Sequence, residues 1–170
     1  MGSKAAFSLV LAVSLAFGCA STPPRPAGPD PAIAELLREG QTYELGRGVP
    51  INIPRAREAY DEACRRGSQR GCAALAGAFL LGAETGRDRT RARSLGHAAC
   101  EAGELLGCTA EGWAMIAPPA SAPDYRSAMA LLERACAGRE PAACVRLGVV
   151  YQEHLGVSQQ DARAADYYRQ

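Results

Sequence analysis

Six cysteines set the frame for this chain. Cys64, Cys100 and Cys136 lie 36 residues apart, and Cys72, Cys108 and Cys144 repeat the same interval. Self-similarity at such a period points to stacked supersecondary units, each burying its apolar face on the next, rather than to one conventional core. Other columns hold the register. Ala56, Ala92, Ala128 and Ala164 form one, and Ala63, Ala99 and Ala135 a second. Small residues recur at Gly40, Ala76, Gly112 and Gly148. Three positions after each stands a large apolar residue: Tyr43, Phe79, Met115 and Tyr151.

Each unit reads as two helices. Helix A carries the Gly40 and Tyr43 columns, and helix B carries the two alanine columns. Ala56, Ala59 and Ala63 fall on one helical face at i, i+3 and i+7. A glycine or alanine within helix A lets a facing helix approach, and the aromatic one turn on is expected to fill the adjoining space. Asn52, Asp88 and Asp124 stand where N-caps belong, because a short acceptor side chain satisfies the free N–H groups of a first turn. The first A–B connection, Gly46-Arg47-Gly48-Val49, suits a tight exit from helix A. The fourth unit keeps Gly156-Val157, while the counterparts at 82–87 and 118–123 vary freely in chemistry, as expected at the exposed edge of a repeat array. Aromatics make up only 6% of the chain, which argues against a β-sandwich. The expectation is therefore an all-α fold, an α/α solenoid of about four helix pairs over 32–67, 68–103, 104–139 and 140–170. In the last unit helix A is expected from Pro141 to His154 and helix B from Asp161 to Gln170. That final helix should cap the array, with Ala164, Tyr167 and Tyr168 inward and Asp161, Arg163, Asp166 and Arg169 outward.

The first 18 residues read as an export signal: one cation, Lys4, then an apolar run of about 13 residues from Ala5 to Phe17. That run is too short for a membrane span of about 20 residues. Cys19 follows Ala16-Phe17-Gly18, which resembles a bacterial lipoprotein signal and implies lipid attachment to Cys19. Ala16 departs from the usual Leu and Phe17 from the usual small residue, and ordinary cleavage after Gly18 is the competing reading. Residues 19–31 form a linker with five prolines between Pro23 and Pro31, expected to be extended and polyproline-like. Ala20, in place of an aspartate, implies an outer-membrane rather than an inner-membrane destination.

The combination of small-x-x-aromatic, Gly-x-Gly-Val, Ala and Cys-x7-Cys resembles SEL-like repeats. It resembles most closely their cysteine-rich secreted subgroup, first described as Helicobacter cysteine-rich proteins. The matching residues of the first unit are Gly40, Tyr43, Gly46, Gly48, Val49, Ala56, Tyr60, Ala63, Cys64, Gly67, Gly71 and Cys72, and the likeness extends over about 32–170. Two departures stand out. Glu111 occupies the helix A core column of Leu75 and Leu147. Arg139 occupies the B–A turn column of Gly67 and Gly103, with Gly138 placed to substitute. The resemblance implies a tetratricopeptide-like solenoid with bridges Cys64–Cys72, Cys100–Cys108 and Cys136–Cys144. Residues flanking a short antiparallel turn can approach, and export permits oxidation. A zinc site would want closer spacing such as C-x2-C.

Chemistry is sparse. A net charge of +1 leaves no electrostatic footprint for nucleic acid. No H-E-x-x-H, G-x-S-x-G or P-loop occurs. His97 reads as a surface or packing residue of helix B, and His154 as a cation suited to the end of the last helix A. Arg87, Arg89, Arg91 and Arg93 read either as a solvated face or as an anionic-partner patch in which three of the four share a face. The resembling subgroup is associated with slow β-lactam binding and hydrolysis, yet the only lysine is Lys4 in the leader, so no S-x-x-K pair survives export. No cofactor and no metal are expected. The favoured function is a non-catalytic envelope scaffold that binds an unidentified protein or peptide partner through a helical-repeat groove, held to the membrane by lipid on Cys19. The alternative is slow penicillin binding or hydrolysis, or peptidoglycan-fragment binding.

Overall fold

The computed structural model describes residues 30–81, 86–117, 124–158 and 160–170. The leader, Cys19 and the prolines of 23–29 lie outside them, as do the connections at 82–85 and 118–123 and the side chain of Arg87. Eight helices are present among the described residues: α1 (Pro31–Leu45), α2 (Ile53–Arg65), α3 (Gln69–Leu81), α4 (Gly86–Glu101), α5 (Leu105–Ile116), α6 (Tyr125–Ala137), α7 (Pro141–Gln152) and α8 (Asp161–Tyr168). Odd-numbered helices are the A helices and even-numbered ones the B helices. No strand occurs among the described residues. The fold is an all-α solenoid of helix pairs cross-linked by disulfides.

Local chemistry starts and stops these helices. Asn52 accepts a hydrogen bond from the Arg55 N–H at 3.0 Å, and Asp124 accepts one from the Ser127 N–H at 3.1 Å. Asp30 does the same for α1 from the Ala32 N–H, with Pro31 just inside the helix. Asp88 departs from the expected pattern. Helix α4 starts at Gly86, so Asp88 lies within its first turn and acts on the helix dipole rather than as a cap. Helix α7 ends at Gln152, short of His154, and α8 ends at Tyr168.

The three B–A turns share one hydrogen-bond pattern. Ser68, Glu104 and Glu140 donate their N–H to the carbonyls of Ala63, Ala99 and Ala135 at 3.1, 2.9 and 3.0 Å. The residue before each has a positive φ: 89° at Gly67, 89° at Gly103 and 67° at Arg139. Gly138 does not substitute, since its φ is −78°. The turn register is closed by those bonds, and Arg139 takes the left-handed conformation itself. Across each turn a disulfide joins cysteines eight apart, Cys64–Cys72, Cys100–Cys108 and Cys136–Cys144, with Cα–Cα distances of 4.5, 4.6 and 4.8 Å.

Packing between the helices follows the columns. Ala56, Ala92 and Ala128 are wholly buried, and Ala164 nearly so. The small column of helix A is a row of holes. A Cβ on Gly40 would stand 2.3 Å from the Tyr60 ring, one on Gly148 2.3 Å from the Tyr168 ring, and one on Gly112 3.1 Å from Leu132. In the second unit Ala76 already carries a methyl, and the matching B position is Gly96. The holes are therefore filled by residues twenty positions on, in helix B. The Tyr43 column does something else. Arg55 lies over Tyr43 at 4.7 Å, Arg91 over Phe79 at 4.8 Å and Arg163 over Tyr151 at 4.8 Å, a cation–π ladder at the repeat period. Met115 and Ser127 occupy the two positions in the third unit. At the carboxyl end Tyr167 stacks on Tyr151 at 5.6 Å, and the Tyr168 hydroxyl donates to Gln152 at 2.8 Å.

Among the A helices, α3 packs on α5 and α5 on α7, while no comparable contact joins successive B helices among the described residues. Helices that touch along one side and splay along the other curve the array, so the A helices form its inner wall.

Candidate functional site

The inner wall holds a small cavity of about 110 Å³, lined by residues of α1, α3, α5 and α7. Its apolar sides include Leu80, Leu81, Leu106 and Trp113. The repeat supplies this surface: Arg38, Ala74, Ala110 and Arg146 share one helix A column, and Gln41, Gly77, Trp113 and Val149 another. Trp113, the only tryptophan, replaces a glycine one unit earlier. Arg146 lies over its ring, with the guanidinium carbon 4.5 Å from the centroid. Burial pulls the Arg146 guanidinium below its usual pKa. Among the described residues no carboxylate pairs with it. On another wall stands Glu44, whose carboxylate accepts a 2.6 Å hydrogen bond from the Tyr60 hydroxyl. Burial, and then that carboxylate, push the Tyr60 phenol above its ordinary pKa. A cavity of this size takes one side chain; small-molecule sites are usually about 300–1,000 Å³.

Neither Trp113 nor Arg146 was singled out by sequence reasoning. Periodicity carried little signal for them: the Arg146 column reads Arg38, Ala74, Ala110 and Arg146, the Trp113 column reads Gln41, Gly77, Trp113 and Val149, and only the single tryptophan stands out against its sister units.

None of the other residues weighed from the sequence for chemistry lines this cavity. His97 Nδ1 lies 3.1 Å from Glu111 Oε1, whose side chain is only 10% exposed. Helix α5 comes this close because residue 96 is glycine; a Cβ there would stand 2.7 Å from the Glu111 nitrogen. His97 thus satisfies a buried carboxylate in a column otherwise held by Leu75 and Leu147. Glu39, in the same column, is exposed on α1. His154 is exposed in a left-handed turn, with φ 57°, beyond the end of α7. Of the arginine run, the Arg87 side chain lies outside the described residues, and Arg89 and Arg91 are engaged within the fold. Arg89 donates to the carbonyls of Ala114 and Ala117 at the end of α5, as Arg57 donates to those of Ala78 and Phe79 at the end of α3. Arg91 is committed to Phe79.

Comparison with known proteins accords with this architecture. The Sel1 repeat pattern matches residues 40–68, 69–104, 119–138 and 141–170, more than half of the chain. No curated protein matches it. Among solved structures, a Sel1 repeat protein from Oxalobacter formigenes is 23% identical with a TM-score of 0.53, over 81% of this chain and 56% of that one. A protective antigen of uropathogenic Escherichia coli strains displaying an SLR fold is 22% identical with a TM-score of 0.48, over 81% of this chain and 29% of that one. The chain thus spans little more than half of the first of these structures and under a third of the second.

Proposed function

The chain belongs to the Sel1 repeat family, and from that premise we propose that it is an exported, non-catalytic scaffold that grips a protein or peptide partner along the inner wall of its solenoid. Sel1 repeats serve in general as protein-interaction modules. The observation that carries the reading here is the cavity walled by A helices alone, with Trp113 and Arg146 on its surface. A stacked tryptophan and arginine are the residue types that dominate binding energy at interfaces. Three disulfides support an oxidising compartment outside the cytosol. The membrane attachment is the lipid on Cys19, with the proline-rich segment as tether, in the outer membrane.

Site-specific photo-crosslinking in cells tests the face. A photoreactive residue at Leu81, on the inner wall, should capture partners that the same residue at Glu133, exposed on α6, does not. Capture from position 133 alone, or equally from both, overturns the groove assignment. Retention of a labelled penicillin by the purified protein would move the function to β-lactam or peptidoglycan-fragment binding.

A further inference from the structure

Three arginines lie on the A helices: Arg38, Arg70 and Arg146. Arg38 pairs with Glu35, and Arg70 reaches Glu104 at 3.2 Å and Glu140 at 3.8 Å. Arg146 alone of the three has no carboxylate among the described residues, although it is the one pressed against a ring and partly withdrawn from solvent. Removing a guanidinium from water without a counter-charge is costly, and a ligand that brings the missing anion recovers that cost. The cavity that Arg146 lines is apolar on most sides and has room for one side chain. Its opposite polar group, Glu44, disfavours a second negative charge and offers an acceptor to an N–H.

We propose that this cavity reads the carboxyl terminus of a partner polypeptide whose last residue is apolar, the α-carboxylate lying on Arg146, the side chain in the cavity and the backbone N–H toward Glu44. The geometry favours a terminus over an internal acidic side chain. In a terminal residue the carboxylate and the apolar side chain leave the same Cα, so both fit a site that admits one residue. In an extended internal segment, neighbouring side chains point to opposite faces and same-face ones stand about 7 Å apart. This inference rests on the inner wall being the binding face, and the test separates the two.

The probe is the peptide Gly-Gly-Ser-Ala-Leu, titrated into the oxidised full chain and followed by the fluorescence of Trp113. It is compared with its carboxyl-terminal amide and with Gly-Gly-Ser-Ala-Gly as the free acid. The free acid ending in leucine should bind saturably. The amide should bind about tenfold or more weakly, the order expected for losing one charge-assisted hydrogen bond. The glycine-ended acid should also be weaker. Arg146→Gln should abolish the preference for acid over amide, and Arg146→Lys should keep part of it. Equal binding of acid and amide to the unaltered protein overturns the carboxylate reading while leaving the groove intact. Tighter binding of an amidated peptide with an internal aspartate overturns it in favour of a side-chain anion. If no peptide binds while crosslinking at position 81 succeeds, terminus recognition fails alone; if both fail, the inner-wall reading falls with it.

Discussion

Replacing Arg139 with glycine should stabilise the protein, against the usual direction of substitutions to glycine. Arg139 holds φ at 67° in the third B–A turn, where its two counterparts are Gly67 and Gly103 at 89°. A left-handed conformation costs an L-residue about 1–2 kcal/mol. Glycine removes that cost and returns about 0.5–1 kcal/mol through the greater entropy of its unfolded chain. The net gain is about 0.5–1 kcal/mol, or about 2–4 °C in Tm near the upper end for a chain of this size. No hydrogen bond is lost, because the turn bonds run through the backbone, and the Arg139 side chain is exposed. Gly103→Arg is the reciprocal change. A Cβ on Gly103 meets nothing within 4 Å, so only the backbone term operates and the same magnitude is expected with the opposite sign. Urea and thermal unfolding of the oxidised protein, followed by circular dichroism, measure both. Hydrogen exchange of the Glu140 amide, bonded to the Ala135 carbonyl, reports the turn locally. If Arg139→Gly brings no gain and Gly103→Arg no loss, the shared left-handed turn is not what closes the B–A connection.

Gly40→Ala should cost about 1–3 kcal/mol by driving a methyl into the buried Tyr60 ring, whereas Gly77→Ala, on the same kind of helix with open space, should gain up to about 1 kcal/mol; denaturant midpoints compare them. Each disulfide closes a loop between cysteines eight apart, and chain-entropy arithmetic gives about 2.5 kcal/mol per bridge. Dithiothreitol should therefore lower the urea midpoint strongly, and an unchanged midpoint would deny the bridges a role in stability. Native-state hydrogen exchange should find α8 the least protected helix yet slower than random coil, because Tyr167 and Tyr168 dock on α7. Cys19→Ser should release the protein from membranes in fractionation, or leave an unprocessed precursor, and wild-type protein found wholly soluble would sink the lipid anchor.

Several elements were legible early because they depend on neighbours close in the chain. Asn52 and Asp124 cap the helices that follow them, since a cap needs only its own first turn. Asp88, in the same column, does not, because α4 starts two residues ahead of it. The Arg139 turn was misassigned to Gly138 because composition alone does not say which of two adjacent residues takes the positive φ; the closing hydrogen bonds do.

The repeat of 36 residues, the alternation of two helices and the all-α solenoid were determined by the sequence itself, because periodic burial and capping are read from spacing along one strand of chain. The tertiary structure alone decided which side chain meets which across helices. Tyr60 and Tyr168, not the Tyr43 column, fill the glycine holes, and arginines twelve residues on stack over that column's rings. Trp113 and Arg146 became one surface only when α5 and α7 packed together. The rotation of one helix against the next sets those pairings. A column states that positions are equivalent from unit to unit, but it does not carry the angle at which they face their partners.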